Sequence, residues 1–260
     1  MQRVLLTGAA GSIGTFLRRE LAGVYDELIL ADIQPISDLG PGETYLPLDI
    51  TDADAFTQAC AGVDGILHFA GQAGENTWED IRAKNIDGVY NLFEAARIQG
   101  VKRVCFATSN HAVGYYRRDE RISVDRKVLP DSRYGVSKAF GEALGAMYAM
   151  KHGLGVFMMR IGNVSETPVD RRRLSIWISP RDMAQLCRVG LEHPDIGYEI
   201  VFGVSDNVRS FYDNSNAYRL GYKPADSSED YAEDVLAAEP QADPDDPAEI
   251  YQGGAFVSAR

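Results

Sequence analysis

A tyrosine and a lysine stand four residues apart in Tyr134-Gly135-Val136-Ser137-Lys138, at the start of a segment with helical spacing. Residues at that separation share one face of a helix, so a phenol and an ammonium project together. A free phenol titrates near ~10 and is a poor base at neutral pH, but an adjacent cation favours the phenolate and makes proton abstraction feasible. The same spacing also occurs in ordinary amphipathic surface helices, so the pair alone does not decide. Upstream, Val104-Cys105-Phe106-Ala107 runs into Thr108-Ser109-Asn110. Ser109 thus ends a strand-like run, where its hydroxyl can hold a reacting oxygen beside Tyr134.

A second constellation lies at the start of the chain. Arg3-Val4-Leu5-Leu6-Thr7 leads into Gly8-Ala9-Ala10-Gly11-Ser12-Ile13-Gly14 and then a helical stretch. Glycines between a strand and a helix permit a tight turn and close approach of a pyrophosphate, and the helix start offers free N–H groups to it. The spacing is GxxGxxG, a variant of the commoner fingerprint. A turn serving packing alone is the competing reading, and the strand-before, helix-after context favours a dinucleotide. Asp32 ends the next strand, about 20 residues on, where a carboxylate binds the ribose hydroxyls of NAD and repels the extra phosphate of NADP. Ile33-Gln34 bring no compensating cation, although a strand-end Asp also caps turns. Asp49 and Ile50, after the third strand, are expected near the adenine, with helix capping by Asp49 or Asp52 as the alternative. Ala70, just past the fourth strand, joins the expected cofactor contacts. Asn85 is read either as holding a backbone group or water near Lys138, or as a plain helical Asn.

Positioning these groups is the task of an alternating series of elements. Strand-like runs at Val4–Thr7, Leu28–Ala31, Thr44–Leu48, Gly65–Phe69, Arg103–Ala107, Val156–Arg160 and Glu199–Phe202 are separated mostly by helical segments. Those helices are expected at Ser12–Ala22, Ala53–Ala59, Trp78–Ile98, Tyr134–Lys151 and Pro180–Glu192. Such alternation predicts an α/β fold, a doubly wound parallel (Rossmann) sheet flanked by helices, in a single domain over 1–260. Ser12 and Ser179 are expected N-caps, with Asp182 completing a capping box, and Gly100 and Gly153 are expected C-caps. Two long connections, His111–Pro130 and Ser165–Ile178, break the rhythm, and loops of that length in a compact domain are usually functional. A small C-terminal substrate-binding portion is expected mainly from 165–178 and 205–236. The Pro- and Asp-rich stretch that follows suggests an extended tail over 237–260.

The bulk properties narrow the function. A formal net charge of -12 repels phosphate backbones and argues against nucleic acid. It equally demands a local basic cluster for any anionic small substrate. Arg171-Arg172-Arg173 in the second long loop supplies one, or else forms salt bridges across an acidic surface. No apolar run of about 18 residues suggests a membrane span. The strand-like start leaves no room for a signal core. Three well-separated cysteines without a CxxC pair read as reduced thiols, so a cytoplasmic setting is expected. His68, His152 and His193 are not spaced as metal ligands, and no metal site is expected. Apolar side chains around much of Ile86–Ile98 and Tyr134–Lys151 point to a partner on an outer face, hence a homo-oligomer.

The glycine turn, Asp32, Asn85-Ile86-Asp87-Gly88, Ser109, the YxxxK pair and Leu220-Gly221-Tyr222-Lys223-Pro224 together resemble the extended short-chain dehydrogenase/reductases. Thr108 to Tyr116 (TSNHAVGYY), Arg160-Ile161-Gly162, Arg172 to Trp177 (RRLSIW) and Asp213-Asn214-Ser215 are similar to the bacterial uronate dehydrogenases within them. The likeness covers nearly the whole chain. It implies NAD-dependent oxidation of a hexuronic acid, glucuronate or galacturonate in its ring form, at C1 to the aldarolactone. Tyr134 would be the base, Ser109 would position the C1 oxygen, and Lys138 would bind the nicotinamide ribose. Arg172 would grip the substrate carboxylate, Asn110, His111 and Asn163 would meet the sugar, and a dimer would be the minimal unit. His111 reads equally as a packing histidine. Ala73 and Asn163 depart from the family pattern, which carries serines there, and this leaves the epimer preference open. Rival expectations are a nucleotide-sugar epimerase or dehydratase, and a non-catalytic NAD-binding regulator.

Overall fold

The computed structural model describes residues 1–239 and 243–258. Its strands are β1 (Arg3–Thr7), β2 (Glu27–Asp32), β3 (Glu43–Pro47), β4 (Gly65–His68), β5 (Arg103–Ser109), β6 (Gly155–Ile161), β7 (Asn163–Val164), β8 (Trp177–Ile178) and β9 (Tyr198–Gly203). The helices are α1 (Ser12–Glu20), α2 (Ala53–Ala59), α3 (Trp78–Ile81), α4 (Gly88–Gln99), α5 (Arg133–His152), α6 (Arg173–Ile176), α7 (Pro180–Glu192), α8 (Ser215–Arg219), α9 (Ala232–Ala238) and α10 (Pro247–Ile250). Seven strands form one parallel sheet in the order β3-β2-β1-β4-β5-β6-β9, and β7 pairs with β8 apart from it. All seven expected strands are present, with ends shifted by a residue or two.

Every residue of β5 and β6 is buried, because helices cover both faces of the sheet. Leu17 of α1 and Met183, Leu186 and Leu191 of α7 pack on one face. Phe56 of α2, Phe93 of α4 and Tyr148 of α5 pack on the other. A third cluster, with Val113, Ile122, Ile176, Phe202, Val204 and Tyr212, lies beyond the carboxyl ends of β5, β6 and β9. The strand order reverses between β1 and β4, and such a switch point opens a crevice at the carboxyl ends of the strands.

Several local expectations are met. Ser179 caps α7 by accepting from the Asp182 N–H, and Gly100 and Gly153 end α4 and α5 in the left-handed conformation. Others are corrected. Gly11, not Ser12, is the N-cap of α1, and its helix start has no side-chain cap. Asp182 does not close a capping box: its carboxylate accepts from the Ser205 hydroxyl and from the Ala225 and Asp226 N–H groups. The helix expected over Trp78–Ile98 is interrupted by a π-helical turn, Arg82–Asp87. The tail is not extended throughout, since it contains α10 and a 3-10 turn, Gly254–Val257. The Arg118 guanidinium, which pairs with Glu249 at 2.6 Å and donates to the Ala248 and Tyr251 carbonyls, folds it back onto residues 114–118.

Candidate active site

The cofactor end is built by backbone. Gly8 has a φ of +72°, and a Cβ there would come 2.7 Å from the Ala70 nitrogen, so the turn passes against the end of β4 only as glycine. At Gly14 a Cβ would overlap the Gly8 carbonyl, which lets α1 pack close to β1. No acidic side chain occupies the first turn of α1, and no side chain caps it. The positive end of the helix is therefore presented to the cleft, where Ser12 and Ile13 form the wall. Asp32 Oδ2 accepts from the Ala10 N–H at 3.0 Å and Oδ1 from the Gln34 N–H at 2.9 Å, so this carboxylate also fastens the glycine turn. Asp52 caps α2, whereas Asp49 is exposed and closes a local turn onto Thr51; Ile50 is buried against Gly88.

The pair on α5 sits at the middle of the same cleft. Ser132 caps this helix through the Gly135 N–H, and Glu75 accepts from the Tyr134 N–H at 2.9 Å while pairing with Arg133. Lys138 Nζ donates to the Ala107 carbonyl at 2.7 Å and lies 5.5 Å from the centre of the Tyr134 ring. Burial pushes the Lys138 ammonium down to about 8. Burial also pushes the Tyr134 phenol up to about 12, against a hydrogen bond with Ser109 that pulls it down, with the Asp131 charge adding to the rise. Desolvation thus opposes the phenolate before any cofactor is bound, and the expected help to Lys138 from a positive nicotinamide ring is what would offset it.

The loop after β4 crosses between these two parts. Asn85, on the π-helical turn, accepts from the Gln72 N–H at 2.8 Å and donates to the Gln72 carbonyl at 3.0 Å and to Ser137 Oγ at 3.1 Å. Gly71, with φ +143°, makes room for that amide, since a Cβ would come 2.7 Å from Asn85 Oδ1. Of the two readings of Asn85, the first holds: its amide grips the Gln72 backbone beside Ser137, the neighbour of Lys138, and ties the cleft loop to the helix carrying Tyr134. π-turns are frequent where a side chain must be re-aimed in this way.

The opposite end of the cleft is built by side chains from distant segments. Arg171 pairs with Glu239 and Arg173 with Asp170. Arg172 has no carboxylate within salt-bridge distance among the described residues. Its Nε donates to the Gln252 carbonyl at 2.7 Å, and Nη2 donates at 2.9 Å to the Asn110 amide oxygen, whose nitrogen donates to the Ile161 carbonyl. Asn110, expected at the sugar hydroxyls, is buried and not among the cleft-lining residues, and its amide steadies the arginine that is. His111 forms part of the wall, with Nδ1 2.7 Å from Asp131 Oδ2 and its ring stacked on Phe256 at 3.8 Å. Asn163 also lines the cleft, and its Oδ1 accepts from Ser165.

These features leave a cleft of about 390 Å³ between the uncapped start of α1 and a guanidinium with no acidic partner among the described residues. The sequence profile of the NAD dependent epimerase/dehydratase family matches residues 4–179. The uronate dehydrogenase of Pseudomonas putida is 44% identical over 99% of this chain and 96% of that one. This chain belongs to the NAD dependent epimerase/dehydratase family, on its uronate dehydrogenase branch. A solved uronate dehydrogenase from Agrobacterium tumefaciens, a tyrosine-to-alanine mutant complexed with NAD, superposes with a TM-score of 0.96 at 41% identity. It is matched over 98% of its length by all of this chain. A more distant relative is the NAD-dependent glucose-6-phosphate dehydrogenase of Haloferax volcanii, 38% identical over 88% of this chain and 95% of that one.

Of the site residues expected from the sequence of this family member, Ser12, Ile13, Ala70, Ser109, His111, Tyr134, Lys138, Asn163 and Arg172 meet in the one cleft, as does Ala73. Gly8, Gly11, Gly14 and Asp32 form the turn behind its cofactor end, while Asp49 and Ile50 lie off it. The chain fits the cofactor of its family name: Gly11 leaves bare backbone beside an uncapped helix start, as a pyrophosphate requires. Sequence reasoning missed Phe256, Gln252, Asp131 and Glu75. An aromatic in an otherwise Pro- and Asp-rich tail was the one available signal for the first of these; the other three carry none.

Proposed function

We propose that this protein oxidises the cyclic form of a hexuronic acid, glucuronate or galacturonate, at C1 to the aldarolactone, with hydride passing to NAD. One observation carries the reading: Arg172, half-buried and without an acidic partner among the described residues, lines the same cleft as Tyr134, Lys138 and Ser109. A cation so placed is costly unless paired. Two of its five N–H donors are engaged by Gln252 and Asn110, which leaves three for a ligand carboxylate, a geometry guanidinium matches well. The names and identities of the Pseudomonas and Agrobacterium relatives support the same substrate class.

In this mechanism Gly8, Gly11, Ser12, Ile13 and Gly14 hold the pyrophosphate, Asp32 the adenosine ribose, Asp49 and Ile50 the adenine side, and Ala70 and Lys138 the nicotinamide ribose. Bound NAD supplies the hydride acceptor and a positive ring whose field lowers the phenol from about 12. Ser109 holds the C1 oxygen, and Tyr134 Oη takes its proton. Arg172 anchors the carboxylate at the far side of the ring, while His111 and Asn163 take hydroxyls. The long apolar faces of α4 and α5, with Tyr90, Ile98, Met147 and Met150 exposed, support a dimer through these helices. No helix among the described residues is long and apolar enough to cross a membrane, and with the three thiols reduced this supports a cytoplasmic enzyme.

A spectrophotometric screen tests the reading. Galacturonate or glucuronate with NAD is expected to give steady NADH production. NADH from glucose 6-phosphate alone would move the substrate class to sugar phosphates, and interconversion of a nucleotide sugar without net NADH would make the protein an epimerase.

A further inference from the structure

Asp131 is a buried acid that the reaction above does not use. Its side chain is 0% exposed, and no lysine or arginine among the described residues pairs with it. Its two oxygens are instead tied to polar neighbours. Oδ2 lies 2.7 Å from His111 Nδ1, and Oδ1 accepts from the Ser132 hydroxyl at 2.7 Å, the group that caps α5. Gly114 and Gly253 press on the same carboxylate, and a Cβ at either position would overlap Oδ2. The carboxylate therefore has one orientation, fixed jointly by the loop after β5, the start of the catalytic helix and the returning C-terminal segment. The imidazole is equally confined, with Phe256 stacked on one face and Tyr134 edge-on at 5.9 Å.

We propose that Asp131 is a positioning residue, whose carboxylate holds His111 in the Nδ1–H tautomer and so leaves Nε2 as a bare acceptor for one hydroxyl of the sugar. An ionised carboxylate can only accept, so the hydrogen between it and Nδ1 belongs to the ring. In a neutral ring the other nitrogen is then the acceptor, as the partner of one nitrogen sets the role of the second. Burial lowers His111 below its ordinary range, with the Asp131 carboxylate opposing that shift; Arg172, Glu75 and Tyr134 are the other titratable or charged groups facing the ring. The neutral form is the one present at neutral pH. A hydroxyl that donates to Nε2 is distinguished from a position that carries none, which makes this contact selective as well as binding. The inference rests on the uronate reading for its ligand, and not for the tautomer.

Nitrogen-15 NMR of histidine-labelled protein, with the His111 signal assigned through His111→Gln, measures the tautomer directly. The expected wild-type spectrum has His111 protonated at Nδ1 and bare at Nε2. In Asp131→Asn the side-chain amide can donate to Nδ1, so the proton is expected to move to Nε2, at least in part. The KM for galacturonate should then rise roughly tenfold to a hundredfold, with kcat changed less and the KM for NAD within about twofold. A purely structural acid would instead lower the melting temperature and disturb both KM values together. A wild-type ring protonated at Nε2 would overturn the proposal, as would an Asp131→Asn protein with unchanged tautomer and unchanged KM. If that variant fails to fold, the wild-type spectrum still decides. If the wild type oxidises no uronate, the functional reading falls while the spectrum still tests the tautomer.

Discussion

The cofactor end of the cleft is made by one short stretch, Thr7 to Gly14, with Asp32 arriving on the neighbouring strand. The opposite end, where we place the sugar, takes its side chains from positions 109, 111, 134, 163, 172 and 256, which lie on six separate turns, strands and helices. The first presents backbone N–H groups and a helix start; the second presents a guanidinium, an imidazole and an aromatic ring, each held by another segment. A site made of backbone tolerates few changes, because its glycines are pressed against Ala70 and the Gly8 carbonyl. A site made of side chains on loops can change its ligand one residue at a time, which is where specificity resides. The two ends should therefore fail separately when they are mutated.

The largest separation is expected at the point where both ends meet. Tyr134→Phe keeps the ring and removes only the oxygen, so kcat should fall by roughly a thousandfold while NAD affinity, measured by calorimetry, changes little. Turnover that survives this change would remove Tyr134 as the base. Next, Arg172→Ala should raise the KM for uronate by about a hundredfold and leave the KM for NAD alone. An equal rise in both would break the independence of the two ends. Asp32→Ala should act on the opposite side, cutting the preference for NAD over NADP by roughly tenfold. It should also weaken NAD itself, since the Ala10 N–H loses its partner, whereas the uronate KM should stay put. Phe256→Ala, which exposes one face of His111, should cost only a few-fold in uronate KM, because it removes packing and no polar contact.

A smaller effect concerns the support beneath the cofactor end. His68 is buried at the end of β4, stacked between Phe56 and Phe106, and its Nδ1 lies 2.9 Å from Thr7 Oγ1. Burial first, and the nearby Lys138 charge second, push it down from 6.5 to about 3. The folded ring stays neutral while the unfolded chain takes a proton below 6.5, so this stability is present above 6.5 and lost as pH falls towards 3. By pH 5 the loss is about 2 kcal/mol. Urea midpoints at pH 7 and 5 should converge in His68→Leu relative to wild type, and an unchanged pH dependence would show that other groups govern acid sensitivity.

Legibility in the sequence followed the same division. The seven parallel strands, the glycine turn, the Tyr–Lys spacing and the caps at Ser179, Gly100 and Gly153 were readable because each depends on residues a few positions apart. Period, turn geometry and helix-face spacing are properties of the local backbone, and the chain carries them wherever it folds. The bond from Asn110 to Arg172, the π-turn under Asn85, the return of the tail through Arg118 and the acid behind His111 were not readable. Each depends on a partner 13 to 131 residues away, delivered by crossovers that no local pattern encodes. The same holds for the electrostatics at the centre: burial pushes the Tyr134 phenol up and the Lys138 ammonium down, and burial exists only after the chain has packed. The sequence by itself thus determined the sheet, the glycine turn and the spacing that puts Tyr134 and Lys138 on one helix face. Tertiary structure decided which arginine is left without an acid among the described residues, which histidine nitrogen meets an acid and which ring stacks on it, because these depend on which distant groups arrive within contact.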